Sequence, residues 1–223
     1  MKRLFTFVLC CCVFFFPAQA SQGEKLIALT FDDGPSGRFT SQLLDGLAQR
    51  GVTATFLLCG YRMEQYPALT QRIYAEGHEI GLHGYSHKAL DQMCLRDIRR
   101  EIDQTMALLP QGCQVQFLRP PGGQCNALTR SAAESRGLSL LCWSVDPRDW
   151  ASHDAAVIEQ QVLCQVRDGD VILLHDMSNS SVEAALAIVD RLLDQGFRFV
   201  TASQLAQEKG VALQAGRNYC RFD

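Results

Sequence analysis

The chain has no cysteine pair spaced CxxC, so neither the structural zinc pattern nor the dithiol redox pattern is open to its 10 cysteines. It has no surplus of positive charge: 21 Lys and Arg stand against 24 Asp and Glu. That balance argues against nucleic acid or an anionic membrane as the main partner. Beyond its first 20 residues no apolar run is long enough to cross a bilayer as a helix. No internal repeat, low-complexity segment or linker divides the chain.

What is present begins with a leader. Met1-Lys2-Arg3 is basic, Leu4 to Phe16 is apolar, and Ala18-Gln19-Ala20 is a small-x-small cleavage signal. This pattern predicts a secretory signal peptide over residues 1–20 and a protein exported to the periplasm or the medium. The remaining residues suffice for one core, so a single domain is expected over 21–209, with an irregular tail over 210–223. Without Lys2 and Arg3 the charged residues number 19 against 24, a net of −5. Cys10, Cys11 and Cys12 leave with the leader and seven cysteines stay. In an oxidising compartment they predict one to three disulfides, with Cys94–Cys125 and Cys164–Cys220 as the expected pairs. A monomer is expected.

Short apolar runs alternate with segments of helical spacing. Leu26 to Leu29, Thr53 to Leu58, His78 to Leu82, Gln116 to Leu118, Leu138 to Trp143, Val171 to Leu174 and Phe197 to Val200 read as seven strands. Helices are predicted between them, the first capped by Thr40 and a later one by Asn126. Such alternation implies parallel pairing with helices outside. The expected fold is α/β, a distorted seven-stranded β/α barrel related to the eightfold β/α barrel. In such barrels reactive groups gather at the carboxyl ends of the strands.

Polar motifs stand at those ends. Asp32-Asp33-Gly34-Pro35 follows the first strand, and two adjacent carboxylates repel unless a cation or proton neutralises part of their charge. His83 and His87 follow the third, four apart, a spacing that one helical turn would aim the same way. Joined by an Asp oxygen they make a three-ligand set with open positions, as in a catalytic zinc centre. His78 begins its strand and is expected to be structural, at the other end of the barrel. His153, Asp146 and Arg148 are expected in loops.

Taken in order, Thr30 to Pro35, His83-Gly84-Tyr85-Ser86-His87, Arg119-Pro120-Pro121-Gly122, Asp146-Pro147-Arg148-Asp149-Trp150 and Leu173-Leu174-His175 resemble the five motifs of the polysaccharide deacetylase family. That family is also called the NodB homology domain or carbohydrate esterase family 4. The resemblance implies that Asp33, His83 and His87 hold a divalent metal, most often Zn2+, with Co2+, Ni2+ or Mn2+ as substitutes. It makes Asp32 the base for the attacking water, Arg119 its partner, and His175 the acid for the leaving amine, tuned by Asp149. Trp150, Pro121, Gly122 and Leu173 would contact substrate, with the Gly122 N–H facing the oxyanion. Many relatives carry an aromatic residue at the Gly122 position, which leaves the substrate open. The implied activity is hydrolysis of the acetamide of N-acetylglucosamine units in a polymer or oligomer. An O-acetyl esterase of the xylan type and a catalytically silent carbohydrate-binding module are the alternatives, and the second would lack a ligand, base or acid present here.

Overall fold

The computed structural model describes residues 24–223; the expected leader at 1–20 lies outside them. Strand β1 (Lys25–Asp32) is buried at every residue after Lys25, and its two faces do different work. Ile27, Leu29 and Phe31 pack beneath the outer helices, whereas Leu26 and Ala28 join the cluster inside the barrel. The period of two carries that inward face on to Thr30 and Asp32, so the carboxyl end of the strand is an extension of the barrel's interior.

The remaining elements follow in regular alternation: α1 (Gly37–Gln49), β2 (Thr55–Leu58), α2 (Gly60–Gln65), α3 (Pro67–Ala75), β3 (Glu79–Leu82), α4 (Leu95–Met106), β4 (Phe117–Leu118), α5 (Ala127–Glu134), β5 (Ser139–Leu141), α6 (Ala155–Leu163), β6 (Val171–His175), α7 (Asn179–Asp194), β7 (Phe197–Phe199), α8 (Ala202–Glu208) and β8 (Asn218–Tyr219). Every ladder between strands is parallel, as the alternation requires. Neighbours run β6-β1-β2-β3-β4-β5-β8. β1 is shared lengthwise: its first residues pair with β7, and Ala28 to Asp32 pair with β6. The ring is drawn together where Val145, just past β5, bridges Ile172 of β6, and where Arg221 bridges Asp170. The result is a distorted barrel related to the eightfold β/α barrel.

Four expectations need correction. The segment 210–223 is no loose tail, because Asn218 and Tyr219 form an eighth strand on β5, and Tyr219 and Phe222 are buried in the barrel core. Thr40 does not cap α1, whose N-cap is Ser36; its hydroxyl instead accepts the Ser36 N–H and donates to the buried Asp176. Helix α2, ahead of Pro67, has too short a period to be legible. All seven cysteines of the described residues are free. Cys94 donates to Asp97, Cys164 to the Gln161 carbonyl, and Cys220 sits one residue past β8, on the strand beside β5, so neither expected bridge is formed.

Asn126 does cap α5, accepting the Leu128 and Thr129 N–H groups. His78 is buried at the amino end of β3, its Nδ1 accepting the Ala54 N–H. Burial pushes its pKa down to about 4, which keeps it a neutral structural group.

Candidate metal and catalytic site

Asp33, His83 and His87 converge although they leave two different strands. Their ligand atoms all lie within 4.8 Å of one another. His87 Nε2 is 2.9 Å and His83 Nε2 is 3.3 Å from Asp33 Oδ1. His83 is buried, and its Nδ1 lies 2.7 Å from the Arg119 carbonyl. A carbonyl only accepts, so Nδ1 carries the proton and the Nε2 lone pair faces Asp33.

The histidine pair is not presented by a helical turn, as the spacing suggested. Residues 83–87 form an irregular bend. Gly84 has φ 74° and His87 φ 57°, and the Glu101 carboxylate clamps the bend by accepting the Tyr85 and Ser86 N–H groups and the Ser86 hydroxyl. Asp33 also has positive φ, at 72°. The turn after it needs Gly34: a Cβ there would stand 2.7 Å from Asp176 Oδ1. Two non-glycine ligands in the left-handed region are strain held in place by surrounding structure.

This donor set fits a divalent cation. Asp33 Oδ1 is buried and without a hydrogen-bond partner, and imidazole nitrogens face it from two sides. Oxygen and nitrogen lone pairs so close repel unless a positive charge lies among them. Protons on the facing imidazoles can supply that charge too: burial raises the Asp33 pKa, but hydrogen bonds and charge from His83 and His87 more than offset it and hold the carboxylate far below its usual range. Asp33 in turn raises His87 against an opposing effect of burial.

Beside this cluster Asp32 and His175 stand at one level, because β1 and β6 are in register there. Asp32 is buried, and Arg119, with no exposed surface, donates from Nη1 to its Oδ1 at 2.6 Å. The same guanidinium donates to Thr30 Oγ1 and to the Leu141 and Cys142 carbonyls. Arg119 is thus fixed by β1 and by the end of β5 and can hold Asp32 in one orientation. His175 Nδ1 lies 2.8 Å from Asp149 Oδ1, and its backbone N–H donates to Oδ2 at 2.8 Å. Burial lowers the His175 pKa, but the hydrogen bond and charge of Asp149, reinforced by Asp32 and Asp33, raise it to about 9.

These groups open into a cavity of about 390 Å³. Gly122, Trp150 and Leu173 line it, as the resemblance implied, with Trp150 60 % exposed at the rim. Pro121 does not line it: the ring is buried below the rim, near Gly84. Trp143 and Asp146 do line it, and their role was missed. Trp143 ends the fifth apolar run, where an aromatic at a strand's carboxyl end was the available signal. It lies 5.6 Å from the Arg119 guanidinium and abuts Gly123. Arg148 stacks on Trp150 at 5.2 Å and lies in the expected loop. Glu101 and Asp176 carry no sequence signal, since each acts through contacts distant along the chain.

The profile described as polysaccharide deacetylase matches residues 19–141. The chain belongs to the polysaccharide deacetylase family. Among its relatives is the peptidoglycan-N-acetylmuramic acid deacetylase PdaC of Bacillus subtilis, 37% identical over 83% of this chain and 40% of PdaC. This chain therefore spans about two fifths of that protein. A peptidoglycan-N-acetylglucosamine deacetylase of Bacillus cereus is 38% identical over 86% of this chain and 92% of its own length. Of solved structures, the family 4 acetyl xylan esterase of Clostridium thermocellum, in complex with a cobalt ion, superposes with a TM-score of 0.83 at 33% identity, covering 88% of this chain and 98% of that one. Asp33, His83, His87 and Arg119 lie within the matched span; His175 and Asp149 lie beyond it, and His175 is joined to it by the pairing of β6 with β1.

Proposed function

We propose that this chain is an exported, metal-dependent polysaccharide deacetylase that hydrolyses the acetamide of N-acetylglucosamine units in a polymer or oligomer. The observation that carries the reading is the β1–β6 register, which sets Asp32 and His175 at one height beside the Asp33-His83-His87 cluster. Zn2+ suits the two imidazoles and one carboxylate, and Co2+, Ni2+ or Mn2+ can take its place. A cation bound there supplies Lewis acidity to the acetyl carbonyl and makes a nucleophile of water near neutral pH.

The chain's own residues do the rest. Asp32, kept ionised and aimed by Arg119, takes the proton of the attacking water on its carboxylate. His175 holds a proton on Nε2 while Asp149 accepts from Nδ1–H, and it delivers that proton to the departing nitrogen. An amine leaves only when protonated, so this acid is required for an amide. Gly122 lines the cavity, and its N–H is the donor assigned to charge developing on the carbonyl oxygen. Trp150, Trp143 and Leu173 shape the wall against which the sugar lies. The leader at 1–20 directs export to the periplasm or the medium, where the chain acts as a monomer on an acetylated glycan.

The second reading is an O-acetyl esterase, favoured by the likeness to the xylan esterase and by the bare Gly122. Acetate release from N-acetylglucosamine oligomers and from acetylated xylan, each with and without chelator, separates the two. Chelator-sensitive release from the oligomers is expected. Release from xylan alone would favour the esterase, and release unaffected by chelator would refute the metal role.

A further inference from the structure

The catalytic cavity is one end of a longer groove. It shares Asp33, Trp150 and His175 with an adjoining hollow of about 210 Å³, which also takes in Met177. Met177 is in turn a wall of a third hollow, of about 340 Å³, lined by Phe39 and Tyr66 and carrying Arg38 and Arg62. The third hollow lies over the loops and helix starts that follow β6, β1 and β2, which are consecutive in the barrel.

Some surface arginines are paired and others, among them the two of this hollow, are not. Arg50 is paired with Asp190 and Arg72 with Asp45 and Glu76. Among the described residues Arg38 and Arg62 have no carboxylate within 4.0 Å. Each is steadied by an aromatic ring instead, Arg38 at 5.8 Å from Phe39 and Arg62 at 5.2 Å from Tyr61. Arg62 also donates from Nε to the Tyr61 hydroxyl, which leaves its outer donors free. Glu64, the acid nearest to Arg62 along α2, is occupied by the Tyr85 hydroxyl. In a chain of net charge −3, two unpaired guanidiniums in one hollow are a concentration of positive charge against the general sign.

We propose that this hollow, along the groove from the catalytic cavity, is a subsite for a carboxylate borne by the glycan substrate. The guanidinium fork matches a carboxylate with two parallel hydrogen bonds, and the rings of Phe39 and Tyr66 give an apolar wall for a sugar or short chain beside it. The proposal rests on the deacetylase reading and narrows it: an acidic N-acetylated glycan is preferred over a neutral one of the chitin type. The carboxylate can belong to the sugar's own substituent or to an attached peptide, and both present the same group to the fork.

The test is equilibrium binding of soluble peptidoglycan fragments, with and without stem peptides, and of a neutral N-acetylglucosamine oligomer. Wild type is compared with the double variant Arg38→Gln, Arg62→Gln, and acetate release is followed alongside. The variant should bind the acidic fragments about three- to tenfold more weakly, the scale of two exposed charge pairs, and the neutral oligomer as wild type does. Added salt should weaken acidic binding by wild type and have little effect on the variant. A loss confined to peptide-bearing fragments assigns the carboxylate to the peptide; a loss that persists without peptides assigns it to the sugar. Equal binding of all ligands by both proteins overturns the subsite, as does an equal loss for acidic and neutral ligands. Absence of acetate release from every substrate refutes the deacetylase reading instead, and the binding comparison still decides the subsite.

Discussion

Replacing Asp149 by Asn keeps the shape beside His175 and removes the charge. In the folded chain the His175 pKa is raised from 6.5 to about 9, chiefly by Asp149 acting against burial. That rise corresponds to roughly 3 kcal/mol in favour of the imidazolium. Without the carboxylate, burial is opposed only by the charges of Asp32 and Asp33, so the pKa should fall back toward the ordinary 6.5. At pH 8 a full fall would take the protonated fraction from about nine tenths to a few hundredths, a loss of up to about thirtyfold in kcat/KM. At pH 5.5 the ring is charged in both enzymes, and the difference should close to a few-fold. Stability follows with a definite sign. A raised histidine pKa contributes stability that is full below pH 6.5 and lost as pH rises toward 9, so the gap in Tm between wild type and variant should narrow across that window. The assay is acetate release against pH, with thermal unfolding on the same samples. An equal loss of activity at pH 5.5 and pH 8 would refute the reasoning and leave Asp149 with an orienting role only.

Three further outcomes are expected. Asp33→Ala should lower bound metal and lose activity that added metal partly restores, whereas Asp32→Asn should stay loaded and remain inactive at any metal concentration; metal content and acetate release on both variants check this, and the reverse pattern exchanges their roles. His175→Ala should cost on the order of 10²–10⁴ in kcat with the metal retained, and wild-type turnover would remove it from the mechanism. Gly169→Ala should destabilise the fold by at least about 2 kcal/mol in urea unfolding, because Gly169 has φ 86° and a Cβ would overlap the carbonyl of Phe222, whose N–H donates to the Gly169 carbonyl.

Much of the barrel was legible because its signals are local. Apolar runs such as Val171 to Leu174 and the turn after Asp32 declare themselves within a few residues, and parallel pairing follows from alternation with helices. Strand β8 was not legible, since two residues carry no period and their place is decided by the edge that β5 offers. The disulfide expectation failed for a similar reason: composition says that thiols are numerous, but only packing says which ones meet. His83 and His87 were recognised by their spacing, yet the bend that aims them depends on Glu101, which lies on α4 and is chosen by tertiary contact.

The sequence alone determined which groups this protein has for chemistry and at which strand ends they stand, because strand, turn and motif are written in neighbouring residues. Only the tertiary structure decided that Asp32 and His175 share one level, that Arg119 reaches Asp32 through the barrel interior, that Trp143 joins the cavity, and that Arg38 and Arg62 stand unpaired in the same groove. Register, burial and the absence of a partner are relations between distant segments, and they arise only when the chain has closed on itself.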